Sequence, residues 1–216
     1  MVWDLKAICA GSAQPLRGNQ LSAIGKLSRE GEITIGRLGV EGDQQADMLH
    51  HGGPDMAVHL YPLAHHDFWR EELGGHELLD SPGAFGSNLA VTGITEGDVL
   101  LGDRHRIGTA LLEVCQPRRP CWKIEARFGR KGMVETILRT GRSGWYYRVI
   151  EEGVVRAGDR MTREAAGLSH WPIAEVFEVA WGTARPTERD KLAQLADAPF
   201  LADKMRQFVR GRIAQG

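Results

Sequence analysis

The sequence has few cysteines and no long apolar segment. Its three cysteines, Cys9, Cys115 and Cys121, lack the even number and spacing of a disulfide framework, and no Cys-x-x-Cys motif is present. We therefore expect reduced thiols and a cytoplasmic location. No apolar run reaches the roughly 18 residues that a membrane-spanning helix needs, and the N-terminus has no features of a signal peptide. We expect neither membrane insertion nor secretion.

Excess charge of one sign is also absent. Lys and Arg number 27 against 28 Asp and Glu, so the formal net charge is −1. This balance gives no global field that would attract nucleic acid or a membrane surface. Walker A and Gly-x-Gly-x-x-Gly fingerprints are missing too, which argues against a nucleotide held on a doubly wound sheet. We therefore expect a small-molecule substrate and no nucleic acid polymer.

Glycine, in contrast, is plentiful: 27 glycines are spread along the chain and separate short strand patterns. Strands are predicted over residues 21–27 and 31–38, and aromatic and β-branched residues predict another over 145–150. In this part of the chain, helical spacing is clear only over residues 63–73 and 133–140. Many short strands with glycine turns and few helices predict a mainly β fold with a closed β-barrel, not a βαβ sheet.

The composition changes after residue 164, where helical patterns replace strand patterns. Apolar residues recur at helical spacing over residues 172–181, 186–195 and 200–213. Helices this short bury little surface alone, so we expect them to pack on each other and on the barrel, or on a partner subunit in a homodimer. The predicted domains are a barrel of residues 1–163 and an all-α three-helix domain of residues 164–216.

The most informative stretch is residues 116–123, Gln-Pro-Arg-Arg-Pro-Cys-Trp-Lys. Its two prolines restrict the backbone on either side of the arginines. Arg118, Arg119 and Lys123 place three cations close to the Cys121 sulfur. Nearby cations favour the thiolate, which is both a nucleophile and a metal ligand. Cys121 is therefore the candidate catalytic residue, with a basic surface loop and an incidental cysteine as the alternative.

Glycine turns and two adjacent histidines extend this candidate site. Five glycines stand where a predicted strand meets a turn: Gly42, Gly52, Gly53, Gly86 and Gly144. Backbone N–H groups of such turns can bind a phosphate-bearing ligand together with Arg118 and Lys123, or the glycines only turn strands. His50 and His51 have no helical zinc-ligand spacing. His51 could act as a base for Cys121 in a hydrolase, but nothing in the sequence brings the two together.

Four motifs in this order resemble the MOSC domain family, which is named after the C-terminal part of molybdenum cofactor sulfurase. They are Gly-Val-Glu-Gly-Asp at 39–43, His-Gly-Gly-Pro-Asp at 51–55, Gly-Ser-Asn-Leu at 86–89 and Gln-Pro-Arg-Arg-Pro-Cys at 116–121. The resemblance runs over about residues 6–162. Residues 144–147 and 173–181 resemble the YiiM-like bacterial branch, whose C-terminal piece is a small three-helix domain.

The resemblance implies a barrel that binds the pterin-based molybdenum cofactor and reduces N-hydroxylated bases such as hydroxylaminopurine, with electrons from a partner reductase. Cys121 would ligate molybdenum, Arg118 and Lys123 would hold the phosphate or flank the metal, and Asn88 would hydrogen-bond the cofactor. The other implied pocket residues are Gly42, Asp43, His51, Gly52, Gly53 and Tyr147. Pyridoxal phosphate is an alternative cofactor that no motif supports.

The implied reaction needs a proton donor, and Asp43 and His51 are the candidates. One residue departs from the family pattern: the turn that often reads Gly-Glu-Asn-Leu has Ser87 in place of the acid. If that acid were catalytic, activity would be in doubt, whereas a serine can replace it in orienting the turn. Two other functions stay open, namely a sulfur carrier with a Cys121 persulfide and a module that binds or delivers the cofactor without turnover.

Overall fold

The computed structural model describes residues 1–46, 52–183 and 188–215. In chain order the strands of these segments are β1 (Val2–Ala10), β2 (Gln14–Arg17), β3 (Gln20–Ser22), β4 (Leu27–Arg29), β5 (Ile33–Gly36), β6 (Gly39–Val40), β7 (Val58–Pro62), β8 (Leu89–Thr92), β9 (Arg104–Ile107), β10 (Ala110–Pro117), β11 (Trp145–Glu151), β12 (Gly153–Val155) and β13 (Arg160–Ala165). The α-helices are α1 (Ala64–Leu73), α2 (Lys123–Phe128), α3 (Met133–Thr140), α4 (Ile173–Trp181), α5 (Arg189–Ala196) and α6 (Asp203–Gln215), and short 3₁₀ helices cover Pro54–Met56 and Glu77–Asp80.

Seven strands close into a barrel in the order β1, β13, β9, β10, β11, β7, β8 and back to β1. Strands β7 and β8 run parallel, whereas the other neighbours are antiparallel. The closing pair joins β1 to β13, with Val2 opposite Thr162 and Asp4 opposite Arg160. Closure pairs the strands that would otherwise be open edges. The structure therefore confirms the predicted closed barrel.

The C-terminal helices pack on this barrel. Ile173, Val176, Leu195 and Val209 are buried in the same apolar cluster as the barrel residue Leu112. Backbone hydrogen bonds add to the junction: the Ala202 amide donates to the Cys115 carbonyl of β10 (3.1 Å), and the Leu101 amide donates to Trp171 (2.9 Å). The three predicted C-terminal helices are confirmed, and they share one core with the barrel. The domain boundary after residue 163 stays a prediction.

A second apolar cluster joins α1, α2 and α3 beside the barrel. Tyr61 of β7 stacks on Phe85 with ring centroids 4.3 Å apart, and Trp69, Phe128 and Ile137 are buried around this pair. Because Phe85 precedes β8 and Phe128 follows β10, the cluster holds both of these segments in place. Both segments contribute to the candidate site.

Two local predictions were wrong, and both concern the site. Residues 21–27 do not form one strand, because β3 ends at Ser22 and β4 begins at Leu27. Gly25 interrupts the strand pattern there, and the irregular backbone brings Lys26 to the candidate site. Residues 123–128 form helix α2, although the sequence analysis assigned them no helix.

Candidate functional site

A small cavity lined by cationic and polar side chains lies beside β7 and β11. Among the described residues its wall includes Lys26, Asp43, His59, Gly86, Asn88, Arg118, Cys121, Lys123 and Tyr146. Its volume is about 90 Å³, which is room for a few water molecules or a phosphate-sized anion. We call it the cationic cavity. The structure thus brings together five predicted site residues from three separate segments of the chain: Asp43, Asn88, and Arg118, Cys121 and Lys123.

The segment that carries Cys121 is anchored at both ends. At its start, the Arg118 amide donates a hydrogen bond to the Gly144 carbonyl (3.0 Å). At its end, the Cys121 carbonyl accepts from the Ile124 amide (3.1 Å), where α2 begins. Cys121 is partly exposed, whereas Cys9 and Cys115 are buried, and burial raises the pKa of both buried thiols. Cys121 is therefore the thiol that a ligand in the cavity can reach.

Arg118 is the cation best placed to hold an anion. Its side chain is only 6% exposed, and no described residue is a hydrogen-bond partner for its buried Nη1 atom. A buried guanidinium nitrogen without a protein partner is costly, so a bound anion or an ordered water would complete its hydrogen bonds. Lys26 and Lys123 line the same cavity. The electrostatics therefore favour a phosphate-like anion.

Asp43 lies at the centre of a hydrogen-bond network. Its carboxylate accepts from the Gly11 amide (2.8 Å), from the Asn88 side-chain amide (2.9 Å) and from Lys26 Nζ. Burial lowers the pKa of Lys26, and the Asp43 carboxylate opposes this change. These three contacts fix the Asp43 carboxylate in place and position Lys26 beside the cavity. The role of Asp43 as a proton donor stays a prediction.

Asn88 connects three segments through its side chain. Its amide nitrogen donates to the Cys9 carbonyl (3.2 Å) as well as to Asp43, and its amide oxygen accepts from the His59 amide (3.0 Å). Both amide hydrogens are therefore already used within the protein. Asn88 lines the cavity as predicted, but its contacts are those of a positioning residue rather than of a free donor to the cofactor.

His59 lines the cationic cavity, although it was not among the predicted site residues. Burial, together with the nearby Arg118 cation, lowers its pKa to about 3, so its imidazole is neutral at physiological pH. Its Nδ1 lies 3.3 Å from the Gly86 carbonyl, and its Nε2 lies 3.3 Å from the Ser143 carbonyl. The signal in the sequence is a histidine inside the apolar strand Val58–Pro62, all of which is buried.

Tyr147 does not lie on the pocket wall, and this prediction needs correction. Its side chain is buried in the barrel core, and its hydroxyl is 2.7 Å from His105 Nδ1. Successive residues of a strand face opposite sides, so Tyr146 lines the cavity in its place. Burial raises the pKa of Tyr146, and the Arg118 cation opposes this effect. The Tyr146 hydroxyl is thus protonated at neutral pH.

Several other residues named in the sequence analysis either do not line the cationic cavity or lie outside the described residues. Gly42, Gly52 and Gly53 are not among the described residues that line the cavity. The predicted catalytic residue His51, like His50, lies outside the described residues. Ser87 is fully buried and donates to the Pro82 carbonyl (3.1 Å). Its hydroxyl therefore orients the turn and does not face the cavity.

A second, larger cavity meets the first at Cys121. Its volume is about 580 Å³, and it lies between residues 116–122 and the helices α3, α4 and α6. The described residues that line it include Met56, Arg119, Cys121, Trp122, Val134, Tyr146, Trp181, Lys204 and Phe208. We call it the aromatic cavity. Cys121, Met56 and Tyr146 line both cavities, so an atom bound at the Cys121 sulfur can be approached from either one.

Metal-binding groups and the length of the helices both bear on function. No group of three or more His, Cys, Asp or Glu side chains that could hold a metal ion by themselves was found in residues 1–46, 52–183 and 188–215. Over the same residues, every helix is too short or too polar to cross a membrane.

Comparison with known proteins gives consistent matches. Residues 47–162 match the MOSC domain. Protein YiiM of Escherichia coli (strain K12) is 34% identical over 209 residues, which cover 97% of this chain and 92% of that protein. A crystal structure of YiiM from Escherichia coli superposes with a TM-score of 0.80 at 30% identity and covers 100% of this chain and 94% of that chain.

Two further relatives extend these matches. A crystal structure of YiiM from Geobacillus stearothermophilus has a TM-score of 0.82 at 29% identity, with 98% of this chain and 99% of that chain covered. A protein of Gibberella moniliformis named "Reductase" is 35% identical over 186 residues, which are 86% of this chain and 33% of that longer protein. The domain match covers more than half of the chain, and the similarity to YiiM covers nearly all of it. The chain therefore belongs to the MOSC domain family, in its YiiM-like branch.

Proposed function

We propose that this protein is a molybdenum-cofactor-dependent reductase of N-hydroxylated compounds, such as N-hydroxylated purine bases. The observation that carries the proposal is the cationic cavity, whose wall contains both the partly exposed Cys121 and Arg118, with an Nη1 atom that has no partner among the described residues. MOSC domains are associated with molybdenum cofactor binding in general, and one relative is named a reductase. The fold, the thiol and the anion site all agree with this activity.

The residues of the cationic cavity fit the cofactor's chemistry. A cysteine thiolate is a soft ligand, which suits a metal that is also held by the sulfur atoms of the pterin. Arg118, Lys26 and Lys123 would hold the phosphate of the cofactor, because charge-assisted hydrogen bonds to phosphate are strong. The Asp43 carboxylate would keep Lys26 in place for this contact.

The overall reaction converts R–NHOH, two electrons and two protons into R–NH₂ and water. The cofactor, when bound, supplies two-electron chemistry at the N–O bond. A partner reductase would supply the electrons. For the protons, Tyr146 is a further candidate, because its hydroxyl is protonated and its side chain lines both cavities. Asp43 and His51 stay the candidates from the sequence.

The first test is the molybdenum and pterin content of protein produced in a molybdate-replete host. We expect near-stoichiometric molybdenum in the wild type and its loss in Cys121→Ser, because serine cannot provide the soft ligand. Cys115→Ala is the matched control, since Cys115 is buried away from both cavities, and it should retain molybdenum. Reduction of hydroxylaminopurine by the loaded wild type, with a chemical reductant as electron donor, would then establish the reaction.

Other outcomes would support the alternative functions. If neither the wild type nor Cys121→Ser holds molybdenum or pterin, while the Cys121 thiol takes the outer sulfur from a persulfide donor and releases that donor as a thiol, the protein is a sulfur carrier. If the wild type is fully loaded but reduces no N-hydroxylated compound, it is a module that binds or delivers the cofactor. Either result would overturn the proposed reductase activity.

A further inference from the structure

The aromatic cavity offers a binding site whose chemistry differs from that of the cationic cavity. Its volume of about 580 Å³ lies within the usual range of small-molecule sites, roughly 300–1,000 Å³. Residues 116–122 form one side of it, and Trp181 of α4 and Phe208 of α6 lie on the other. The C-terminal helices therefore complete a cavity that reaches the candidate catalytic thiol.

Aromatic side chains form much of this wall. The Trp181 and Phe208 rings contact each other with centroids 5.9 Å apart, and Arg119 lies over the Phe208 ring at 5.0 Å. Trp122 is 37% exposed, so its ring is available to a ligand. Flat aromatic faces favour flat aromatic ligands through stacking.

One residue of this wall, Trp181, also carries an unused hydrogen-bond donor. The Trp181 indole Nε1 is buried, and it has no hydrogen-bond partner among the residues that the structure describes. Buried indole N–H groups usually have partners. A small shift of the Trp181 side chain would let a ring nitrogen or carbonyl oxygen of a ligand supply one. A flat ring that carries acceptor atoms fits this wall better than an aliphatic chain does.

We propose that the aromatic cavity binds the flat ring of the N-hydroxylated substrate and that Trp122 and Phe208 determine this specificity. The inference rests on the proposed reductase function. In this arrangement, the anionic part of the cofactor occupies the cationic cavity. The substrate ring then lies on the other side of Cys121, and its N–OH group reaches the junction lined by Cys121 and Tyr146. The C-terminal helices thereby select the substrate.

The test uses two substrates that differ in their ring, benzamidoxime and cyclohexanecarboxamidoxime. The cofactor-loaded wild type should have a several-fold higher kcat/KM for the aromatic compound, through a lower KM. Trp122→Leu and Phe208→Leu keep apolar side chains but remove the flat faces, so each should reduce this preference about three- to tenfold, as expected for the loss of one aromatic contact. Ile150→Leu, at an exposed apolar residue that lines neither cavity, is the control and should keep the preference.

Two further measurements distinguish a failure of this inference from a failure of the proposed reductase function. Pterin content is measured for every variant: if Trp122→Leu and Phe208→Leu lose pterin, the aromatic cavity holds the cofactor's own ring and the inference is wrong. Unchanged preference in both variants at full pterin content would also overturn it, while leaving the reductase function intact. If no compound is turned over, titration of tryptophan fluorescence with benzamidoxime decides. Binding that weakens in the Phe208→Leu protein supports the ring site, and equal binding in wild type and variant rejects it.

Discussion

Arg118 shows at the scale of one residue how a binding site differs from a stable core. The guanidinium is buried beside Tyr146 and Cys121, and one of its nitrogens has no partner among the described residues. A buried cation in this position lowers the stability of the fold unless an anion compensates it. The Arg118 site therefore favours anion binding over stability, because the anion removes this cost.

Replacing Arg118 should therefore separate binding from stability. We expect Arg118→Met to leave the free energy of unfolding of the ligand-free protein unchanged or to raise it by about 1 kcal/mol, since the unsatisfied nitrogen is removed. The same variant should lose the stabilisation that inorganic phosphate gives the wild type, because a ligand stabilises only the state that binds it. Urea unfolding with and without phosphate measures both effects.

The matched control is Arg130→Met, at an exposed arginine between α2 and α3. It should retain the phosphate response and the wild-type stability. A phosphate response that survives in Arg118→Met would show that Arg118 does not hold the anion. Loss of the response in both variants would point to a general charge effect in place of a site.

The residues of the site were predictable to different degrees. Cys121, Arg118 and Lys123 follow from a dense run of cations and prolines, which is a local signal. Lys26 and His59 were missed because their proximity to Cys121 depends on the barrel closing. Tyr147 was chosen where Tyr146 is correct, although the alternation of Trp145, Tyr147 and Val149 on the buried face was readable from the sequence.

At the scale of elements, the turn before β11 links a buried carboxylate to the site. Glu96 Oε1 accepts hydrogen bonds from the Ser143 amide (3.0 Å) and the Gly144 amide (2.7 Å), and Glu96 Oε2 is 2.7 Å from His65 Nε2. The Gly144 carbonyl in turn accepts from the Arg118 amide. The turn therefore sets the backbone position at which the Cys121 segment starts.

Gly144 is required in this turn for two reasons. Its φ is +70°, and a Cβ atom there would lie 2.2 Å from the Leu60 carbonyl oxygen and 3.0 Å from His59 Nε2. We expect Gly144→Ala to reduce the free energy of unfolding by about 3 kcal/mol, because a left-handed backbone costs roughly 1–2 kcal/mol in alanine and the contact with the Leu60 backbone adds to it. Urea unfolding at neutral pH measures the change.

Gly129→Ala is the control for the backbone conformation alone. Gly129 has a similar φ of +61°, but nothing lies within 4 Å of the position of its Cβ. This variant should lose only about 1–2 kcal/mol. Equal losses in the two variants would mean that the turn can relax and that the close packing against Leu60 is unimportant.

The helices were predicted more accurately than the strands of the site. The sequence predicts helices over residues 63–73 and 133–140, and the structure has Ala64–Leu73 and Met133–Thr140, each followed by a left-handed glycine. Helix α2 was missed because its six residues are too few to show a period. Ile124 and Phe128 fix this helix by packing into the cluster around Phe85, and such a contact between distant segments cannot be read from local sequence.

At the scale of the whole molecule, the barrel and the C-terminal helices stabilise each other through one apolar cluster. That core also surrounds histidines whose charge it suppresses. Burial lowers the pKa of His105 to about 3, with the Arg163 cation adding to the effect, and lowers that of His59 to the same value. The apolar strand around His59 hints at its burial, but the lowered pKa of both histidines depends on the closed barrel and its surroundings, which local sequence does not show.

Stability should therefore fall in mild acid. An unfolded histidine titrates near 6.5, so below that pH the unfolded chain binds protons that neutral His59 and His105 do not. Their contribution is complete above about pH 6.5 and is lost as the pH falls towards the folded pKa of about 3. Between pH 7.5 and 5.5 we expect a loss of about 1.4 kcal/mol per histidine in the free energy of unfolding.

Urea unfolding at these two pH values tests the expectation with His105→Gln, which keeps a polar partner for the Tyr147 hydroxyl. Whatever its absolute stability, this variant should lose about 1.4 kcal/mol less than the wild type over the same interval, because one of the titrating groups is gone. His170→Gln removes an exposed histidine and should follow the wild type. If all three proteins lose the same free energy, protonation of His105 is not coupled to unfolding, and the acid sensitivity arises from other groups.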